Sequence, residues 1–212
     1  MSIQSLCETL CRLPKLENTR HLVAVAGAPG SGKSTLAEVL AAALDTAGTM
    51  ACVMPMDGFH LDNVILEQRG LFARKGAPET FDAAGFARMI DALKMREDVV
   101  IPTFDRARDI AIAGARVIPA ETDVIIVEGN YLLFDDANWR GLTDHWSVAI
   151  RLDVPLEILR SRLIQRWLDH GLSAEQAVIR AQSNDLANAQ RVIDQALMAD
   201  VTVRAADLGA LS

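Results

Sequence analysis

The sequence contains, at residues 27–35, the run Gly27-Ala28-Pro29-Gly30-Ser31-Gly32-Lys33-Ser34-Thr35, which fits the pattern G-x-x-x-x-G-K-[ST]. An apolar, β-branched run precedes it at residues 21–26, and residues 36–44 are rich in strong helix formers. A strand, a glycine-rich loop and a helix in this order direct backbone N–H groups and the positive end of the helix toward phosphate oxygens. The run therefore predicts a triphosphate-binding loop to which all nine residues belong.

Two residues of this loop carry side-chain chemistry. Lys33 is expected to reach the β- and γ-phosphates, and the Ser34 hydroxyl is expected to ligate Mg²⁺. The glycines allow backbone angles, and a close approach to phosphate, that a Cβ atom would block. A glycine-rich turn that matches by accident is the alternative, and the strand and helix on either side of the loop count against it. The loop therefore predicts a nucleoside triphosphate and Mg²⁺ as ligands.

The composition points to one soluble domain. The chain has 212 residues, 50% of them hydrophobic, and a formal net charge of −7. We expect an N-terminal helical segment over residues 1–20 and a single domain over residues 21–212. No apolar run approaches the ~20 residues that span a bilayer, and the N-terminus lacks a signal pattern, so the sequence predicts a cytoplasmic protein without membrane insertion. The negative charge argues against a nucleic-acid partner.

The clearest strand in the sequence is Asp123–Gly129, in which residues 124–127 are all apolar. Its consecutive Val and Ile residues indicate burial on both faces, as in a parallel sheet. Further strands are expected at 50–56, 148–152 and 199–203, helices at 2–13, 83–95, 155–170 and 173–197, and a small hairpin over 110–118 that turns at residues 113–115. Strands that alternate with helices predict an α/β fold with a parallel sheet.

Two carboxylates follow strands of this predicted sheet. Asp57 comes after the strand at 50–56, and Glu128 closes the apolar run at 124–127. Ligands of open α/β sheets collect at the carboxyl ends of the strands, where the phosphate loop also lies. Glu128 suits the metal side of such a site, and Asp57 suits a base that accepts the proton of an attacking hydroxyl. The alternative is that both are ordinary carboxylates that cap a loop.

Five segments of the sequence together resemble a group of small-molecule P-loop kinases, which contains uridine kinase, phosphoribulokinase and bacterial pantothenate kinase. The segments are Gly27–Thr35, Met56–His60, Arg74–Asp82, Ile101–Asp105 and Val127–Tyr131. Two segments, Lys75–Asp82 and the run Asn184-Asp185-x-x-Asn188-Ala189, are most similar to the pantothenate kinase branch. The runs Glu128–Leu133 and His60–Asn63 resemble bacterial proteins described as "putative fructose transport system kinases". The resemblance covers residues 21–204.

The resemblance implies a P-loop nucleoside triphosphate hydrolase fold, with a five-stranded parallel sheet flanked by helices and with small lid and acceptor-site insertions. It implies that Asp57 is the catalytic base, that Lys33 clamps the phosphate, and that Ser34 and Glu128 hold Mg²⁺. It places the lid arginines at positions 162 and 166, for which a solvated basic helix face is the alternative. It places the acceptor near Phe59, His60, Phe81, Phe104, Asp105, Arg106 and Tyr131.

The acceptor region departs from the family at two places. Uridine kinases have a tyrosine where this chain has Phe104, and both uridine and pantothenate kinases have a histidine close to the position of Arg106. These differences count against uridine and pantothenate. Carboxylates accept hydrogen bonds from sugar hydroxyls, and arginines bind anions, so the residues present suit a polyhydroxylated or anionic acceptor. The three tryptophans, Trp167 among them, are expected to pack in the protein interior.

The favoured function is an ATP-dependent kinase that phosphorylates a hydroxyl of a small metabolite, with a sugar such as fructose as the preferred acceptor. Uridine kinase, pantothenate kinase, a nucleotide-dependent switch or ATPase, and a weakly active nucleotide-binding module remain alternatives. The Asn/Thr-Lys-x-Asp run of guanine-specific GTPases is absent from the sequence. The sequence is compatible with a homodimer and does not decide the oligomeric state.

Overall fold

Seven strands form two sheets in the computed structural model, which describes residues 3–210. They are β1 (His21–Gly27), β2 (Ala51–Pro55), β3 (Val99–Asp105), β4 (Ile110–Ile118), β5 (Val124–Gly129), β6 (Val148–Asp153) and β7 (Val201–Arg204). Five of them lie parallel in the order β2-β5-β1-β6-β7, and β3 and β4 form a separate antiparallel pair. The five-stranded parallel sheet expected from the sequence is confirmed.

Strands β1 and β5 are neighbours in the middle of the sheet, and every residue of both is buried. Their register places Val23 opposite Ile126 and Val25 opposite Glu128. Burial on both faces explains why each strand is a continuous apolar run, since an unpaired polar side chain there would lose its water. Because the five strands run parallel, the segments that follow β1, β2 and β5 meet at one edge of the sheet.

Seven α-helices accompany the strands in the described part of the chain. They are α1 (Ile3–Cys11), α2 (Lys33–Thr46), α3 (Asn63–Gln68), α4 (Ala83–Lys94), α5 (Leu156–Asp169), α6 (Ala174–Arg180) and α7 (Leu186–Asp194). Helix α2 packs against β1, β2 and β5, and α1 packs on α2 with Leu6 and Leu10 in the common core. Over residues 3–210, no helix has the length and hydropathy that crossing a membrane requires.

The long helix expected over residues 173–197 is divided into two. A π-helical turn, Ala181–Asp185, joins α6 to α7. Its Asn184 is buried, and the Nδ2 atom of this residue donates to the carbonyl oxygen of Lys75, 2.7 Å away. The turn thereby ties the last helices to a loop more than a hundred residues earlier. Wide turns of this kind are frequent at functional sites.

The prediction of a hairpin within residues 110–118 is wrong. That whole stretch is one strand, β4, which pairs with β3, and the connecting turn lies between Asp105 and Ile110. Gly114, at φ 64°, lies in a bulge, because Ala113–Ala115 face the single residue Pro102. The true turn is stabilised by Asp105, whose Oδ1 accepts hydrogen bonds from the N–H groups of the second and third residues after it.

Candidate active site

The phosphate loop joins β1 to α2, and its shape requires glycine. Gly30 and Gly32 have φ angles of 78° and 93°, in the left-handed region that glycine adopts at little cost. A Cβ atom at Gly27 would lie 2.6 Å from the hydroxyl oxygen of Ser31. Larger residues at these positions would strain the backbone or clash. The loop sequence is therefore explained by the local geometry.

The loop leaves several hydrogen-bond donors without partners. Helix α2 begins at Lys33, and the N-cap residue Gly32 has no side chain that could cap the helix. The Ser31 hydroxyl is buried and has no hydrogen-bond partner within residues 3–210. Phosphate oxygens accept hydrogen bonds from such N–H and O–H groups and are attracted by the positive end of a helix. The arrangement fits a bound phosphate chain.

Arg162 of α5 contacts the phosphate loop directly. Its Nη1 atom donates to the carbonyl oxygens of Gly30 and Ser31, at 3.2 and 3.1 Å. Arg166 lies one helical turn further along α5, so both guanidinium groups project from the same side of the helix. The predicted lid arginines are therefore both on a helix that lies against the loop.

Asp57 lies in a 3₁₀ turn, Met56–Phe59, directly after β2. A Cβ atom at the next residue, Gly58, would lie 2.7 Å from the carbonyl oxygen of Pro102 in β3. The glycine therefore allows the β3–β4 pair to pack against this turn. The Asp57 side chain remains 27% exposed, and its Oδ2 atom lies 3.3 Å from Nη2 of Arg106.

Glu128, by contrast, is buried near the end of β5 and is only 4% exposed. A Cβ atom at the following Gly129 would lie 2.6 Å from Cβ of Met56. This glycine therefore allows the 3₁₀ turn that contains Asp57 to pack closely against β5. Burial raises the pKa of Glu128, while the positive charge of Lys33 and a hydrogen bond with Ser34 lower it. The carboxyl group is therefore next to Lys33 and Ser34 of the phosphate loop.

A cavity of about 190 Å³ lies beside these groups, and Ser34, Asp57 and Glu128 line it. Among the described residues, no cluster of three or more His, Cys, Asp or Glu side chains could hold a metal ion unaided. Mg²⁺ typically uses one or two carboxylates, with phosphate oxygens and waters as its other ligands. The hydroxyl of Ser34 and the carboxylate of Glu128 fit Mg²⁺ bound together with a triphosphate.

A second, larger cleft of about 210 Å³ lies between the phosphate loop, the β3–β4 turn and helices α5 to α7. We call it the acceptor cleft. Asp57 lines both cavities, so it stands where the two meet. Of the residues predicted to act on the acceptor or on the transferred phosphate, the structure brings five together in the lining of this cleft: Asp57, His60, Phe104, Arg106 and Arg166.

His60 is held between two aromatic rings in this lining. Its ring centroid lies 4.0 Å from that of Phe81 and 4.6 Å from that of Phe104. Burial lowers the pKa of His60 below its ordinary value of 6.5. Its Nδ1 atom lies 2.8 Å from the carbonyl oxygen of Asp57 and must donate to it. In the neutral ring, Nε2 is then an acceptor for a ligand hydroxyl.

Four predicted acceptor residues do not line the cleft. Tyr131 is completely buried, and its hydroxyl donates to the carbonyl oxygen of Gly76 at 2.6 Å. Phe59 is buried and packs edge-on against the ring of Phe86 in α4. Phe81 is buried and packs against the imidazole ring of His60. Asp105 uses its carboxylate within the β3–β4 turn. These four residues therefore belong to the surrounding structure of the cleft and not to its lining.

Sequence reasoning missed ten residues of the lining: Phe72, Ala73, Lys75, Gly76, Asp109, Asn130, Trp167, Arg180, Asp185 and Asn188. Lys75 donates to Oδ1 of Asn63 at 2.6 Å and to both the backbone and the side chain of Asp109. Trp167, expected to be interior packing, lines the cleft and donates its indole N–H to Asp185 at 2.6 Å. The only signal was the presence of some of these residues in family-like runs.

Comparison with known proteins identifies the family and the fold of this chain. The model of the phosphoribulokinase / uridine kinase family matches residues 22–205. The crystal structure of a "putative fructose transport system kinase" from Silicibacter sp. TM1040 is 59% identical, covers 96% of this chain and 99% of its own, and superposes with a TM-score of 0.93. "Uncharacterized protein YggC" of Escherichia coli K12 is 35% identical over 193 residues, which are 90% of this chain and 80% of that protein.

A fission yeast protein is a further relative. "Putative uridine kinase C227.14" of Schizosaccharomyces pombe is 32% identical over 198 residues, covering 87% of this chain and 83% of its own length. The resemblance that the sequence motifs indicated is thus confirmed, as is the P-loop kinase fold. P-loop kinases bind ATP, and kinases are phosphotransferases. The chain belongs to the phosphoribulokinase and uridine kinase family of P-loop kinases.

Proposed function

We propose that this kinase transfers the γ-phosphate of ATP to a hydroxyl of a small polyhydroxylated metabolite, namely a sugar or a sugar derivative. The observation that carries the proposal is the position of Asp57. Its side chain lines both the cavity beside the phosphate loop and the acceptor cleft. A carboxylate at this junction can touch an acceptor hydroxyl that faces the terminal phosphate of a nucleotide in the loop.

In the proposed reaction, the acceptor oxygen forms a bond to the γ-phosphorus while the bond to the β,γ-bridging oxygen breaks and ADP leaves. Asp57 takes up the proton of the attacking hydroxyl. Lys33 and Arg162 neutralise phosphate charge from the loop and from α5, and Arg166 does so from the cleft side. Ser34 and Glu128 would hold Mg²⁺, which supplies further neutralisation of phosphate charge.

The acceptor cleft supports a polyol better than a flat, apolar ligand. His60 offers an acceptor nitrogen, Arg106 offers donors, and Phe104 supplies an apolar wall without a ring hydroxyl. Such a site would discriminate strongly against molecules that leave its polar groups unpaired. The description of the Silicibacter relative as a "putative fructose transport system kinase" also supports a sugar or sugar derivative as the acceptor.

A transfer assay tests this proposal. The protein is incubated with γ-labelled ATP and Mg²⁺ and with single members of a panel of sugars, nucleosides and pantothenate, and phosphorylated products are identified by mass spectrometry. We expect transfer to at least one sugar or sugar derivative. Efficient phosphorylation of uridine or pantothenate, with no phosphorylation of any sugar or sugar derivative, would contradict the proposed acceptor class. ATP hydrolysis without any phosphorylated product would instead support the switch or ATPase alternative.

A further inference from the structure

Two arginines of the acceptor cleft flank one indole ring. The guanidinium carbon of Arg166 lies 6.0 Å from the ring centroid of Trp167, and that of Arg180 lies 5.1 Å from it. Both arginines line the cleft. In the part of the chain that the structure describes, neither guanidinium makes a hydrogen bond or an ion pair. Contact with the ring face steadies the two cations but satisfies none of their N–H donors.

The charges of the cleft leave a positive excess beside that ring. The lining contains four basic and three acidic side chains, namely Lys75, Arg106, Arg166, Arg180, Asp57, Asp109 and Asp185. Arg106 is paired with Asp57, with Nη2 3.3 Å from Oδ2. Lys75 is paired with Asp109, with Nζ 2.9 Å from Oδ2. The third carboxylate, that of Asp185, already accepts the indole N–H. Two guanidiniums therefore face one carboxylate, in a chain whose net charge is −7.

Arg180 has no part in the phosphate-binding segments. It belongs to α6, whereas Arg162 and Arg166 belong to α5, and of these Arg162 contacts the phosphate loop. The indole against which Arg180 stacks is fixed by its hydrogen bond to Asp185 in the π-helical turn. The π-helical turn thus helps to position Arg180, a cation to which the proposed phosphoryl transfer assigns no role.

We infer that Arg180 binds an anionic group of the acceptor, so that among polyhydroxylated metabolites the cleft favours an acid over its neutral counterpart. The inference rests on the proposed function, since it requires that this cleft holds the acceptor. A guanidinium binds carboxylate and phosphate through paired, charge-assisted hydrogen bonds. A neutral sugar offers Arg180 only hydroxyl oxygens, whose hydrogen bonds with a guanidinium are weaker than those of a carboxylate or phosphate, so it would bind less tightly than an acid.

Binding of matched pairs tests this inference. Glucose with gluconate, glycerol with glycerate, and fructose with fructose 6-phosphate are titrated by calorimetry, each in the presence of Mg²⁺ and a non-hydrolysable ATP analogue. We expect the acid of at least one pair to bind about tenfold or more tightly than its neutral partner. The first two pairs report on a carboxylate and the third on a phosphate. A panel in which no acid binds more tightly than its partner overturns the inference.

Variants connect this preference to the arginine. Arg180→Gln should abolish the preference for the acid, and Arg180→Lys, which keeps the charge but not the planar fork, should retain part of it. Arg88→Gln is the matched control, because Arg88 is exposed on α4 and does not line the cleft. Circular dichroism and thermal unfolding check that each variant is folded. An undiminished preference in folded Arg180→Gln would contradict the assignment.

Kinetics separate this inference from the proposed function. With an acid that is phosphorylated, Arg180→Gln should raise KM about tenfold or more and leave kcat within about twofold, because the contact is made equally in the ground state and the transition state. A large loss of kcat without a change of KM would overturn the specificity role. If acids bind preferentially but no phosphate is ever transferred, the inference about the cleft stands and the proposed function fails.

Discussion

The Nη2 atom of Arg106 lies 3.3 Å from Oδ2 of Asp57, so the candidate base is paired with an arginine from the β3–β4 turn. The two side chains are 57% and 27% exposed, and ion pairs this open to water are worth only about 0–1 kcal/mol. An acceptor hydroxyl can therefore replace the arginine at the carboxylate at little cost. The base is held in place without being blocked.

The role of Asp57 is tested by Asp57→Asn, which keeps the size of the side chain and removes the basic oxygen. We expect kcat to fall by ~10² or more, with the Kd for Mg·ATP nearly unchanged. Asp144→Asn is the matched control, since Asp144 is exposed and lines neither cavity. Normal turnover of Asp57→Asn at saturating acceptor would mean that another group takes the proton.

Lys33 is the second test. Lys33→Ala removes the cation that starts α2 and faces the phosphate loop, so turnover should be abolished while the free energy of unfolding changes little. Steady-state assays and urea denaturation measure the two effects. Lys15→Ala, at an exposed site before β1, serves as the control. Unchanged affinity for Mg·ATP together with unchanged turnover would remove Lys33 from the site.

Substitution of Arg162 tests whether the basic residues of α5 act as lid arginines or form only a solvated basic helix face. Its guanidinium bonds to two carbonyl oxygens of the phosphate loop, so we expect Arg162→Ala to lower kcat by about 10³. Arg160→Ala provides the comparison, because Arg160 is exposed on the same helix and outside the acceptor cleft. If the two variants had equal activity, the basic residues of α5 would be no more than a charged surface.

The parts of the fold that could be predicted are those fixed by local sequence. The apolar runs of β1 and β5 and the glycines at positions 30 and 32 specify their own conformations, so the sheet and the phosphate loop were predictable. The glycine at position 114 was not, because positive φ occurs both in turns and in bulges. Only the pairing of β4 with β3 decides between them.

The candidate site was predictable at the strand ends and not in the cleft. Asp57 follows β2 and Glu128 lies near the end of β5, and parallel strands bring their ends together. Tyr131 lies in the core, as long-range contacts dictate, and its hydroxyl bonds to Gly76. The pairing of Arg180 with Trp167 depends on the π-helical turn, which no local pattern announces.

Tyr131→Phe tests whether the buried hydroxyl is structural. The variant keeps the ring and removes the hydrogen bond to the carbonyl oxygen of Gly76, so the free energy of unfolding should fall by about 1 kcal/mol. Because the hydroxyl does not face the cleft, kcat and the KM for the acceptor should change less than about twofold. Urea denaturation and steady-state kinetics measure both. A large rise in KM with unchanged stability would place Tyr131 against the acceptor after all.

His60 supplies a prediction about pH. Burial lowers its pKa in the folded protein below the ordinary value of 6.5. Above pH 6.5 the ring is neutral in both states, and its contribution to stability is fully present. As the pH falls from 6.5 toward the folded-state pKa, the unfolded chain takes up a proton that the folded protein does not, so stability is lost over that window.

The variant His60→Gln isolates this effect, because every other titrating side chain is common to both proteins. We expect the wild type to lose more unfolding free energy than the variant between about pH 7.5 and pH 5.5, by about 1.4 kcal/mol for each pKa unit of depression that the window covers. Urea denaturation at the two pH values measures the difference, and the NMR titration of the His60 ring should have its midpoint below 6.5. A midpoint at or above 6.5 would mean that the ring between Phe81 and Phe104 carries a charge near neutral pH, and Nε2 would then be a donor toward the acceptor instead of an acceptor of its hydroxyl.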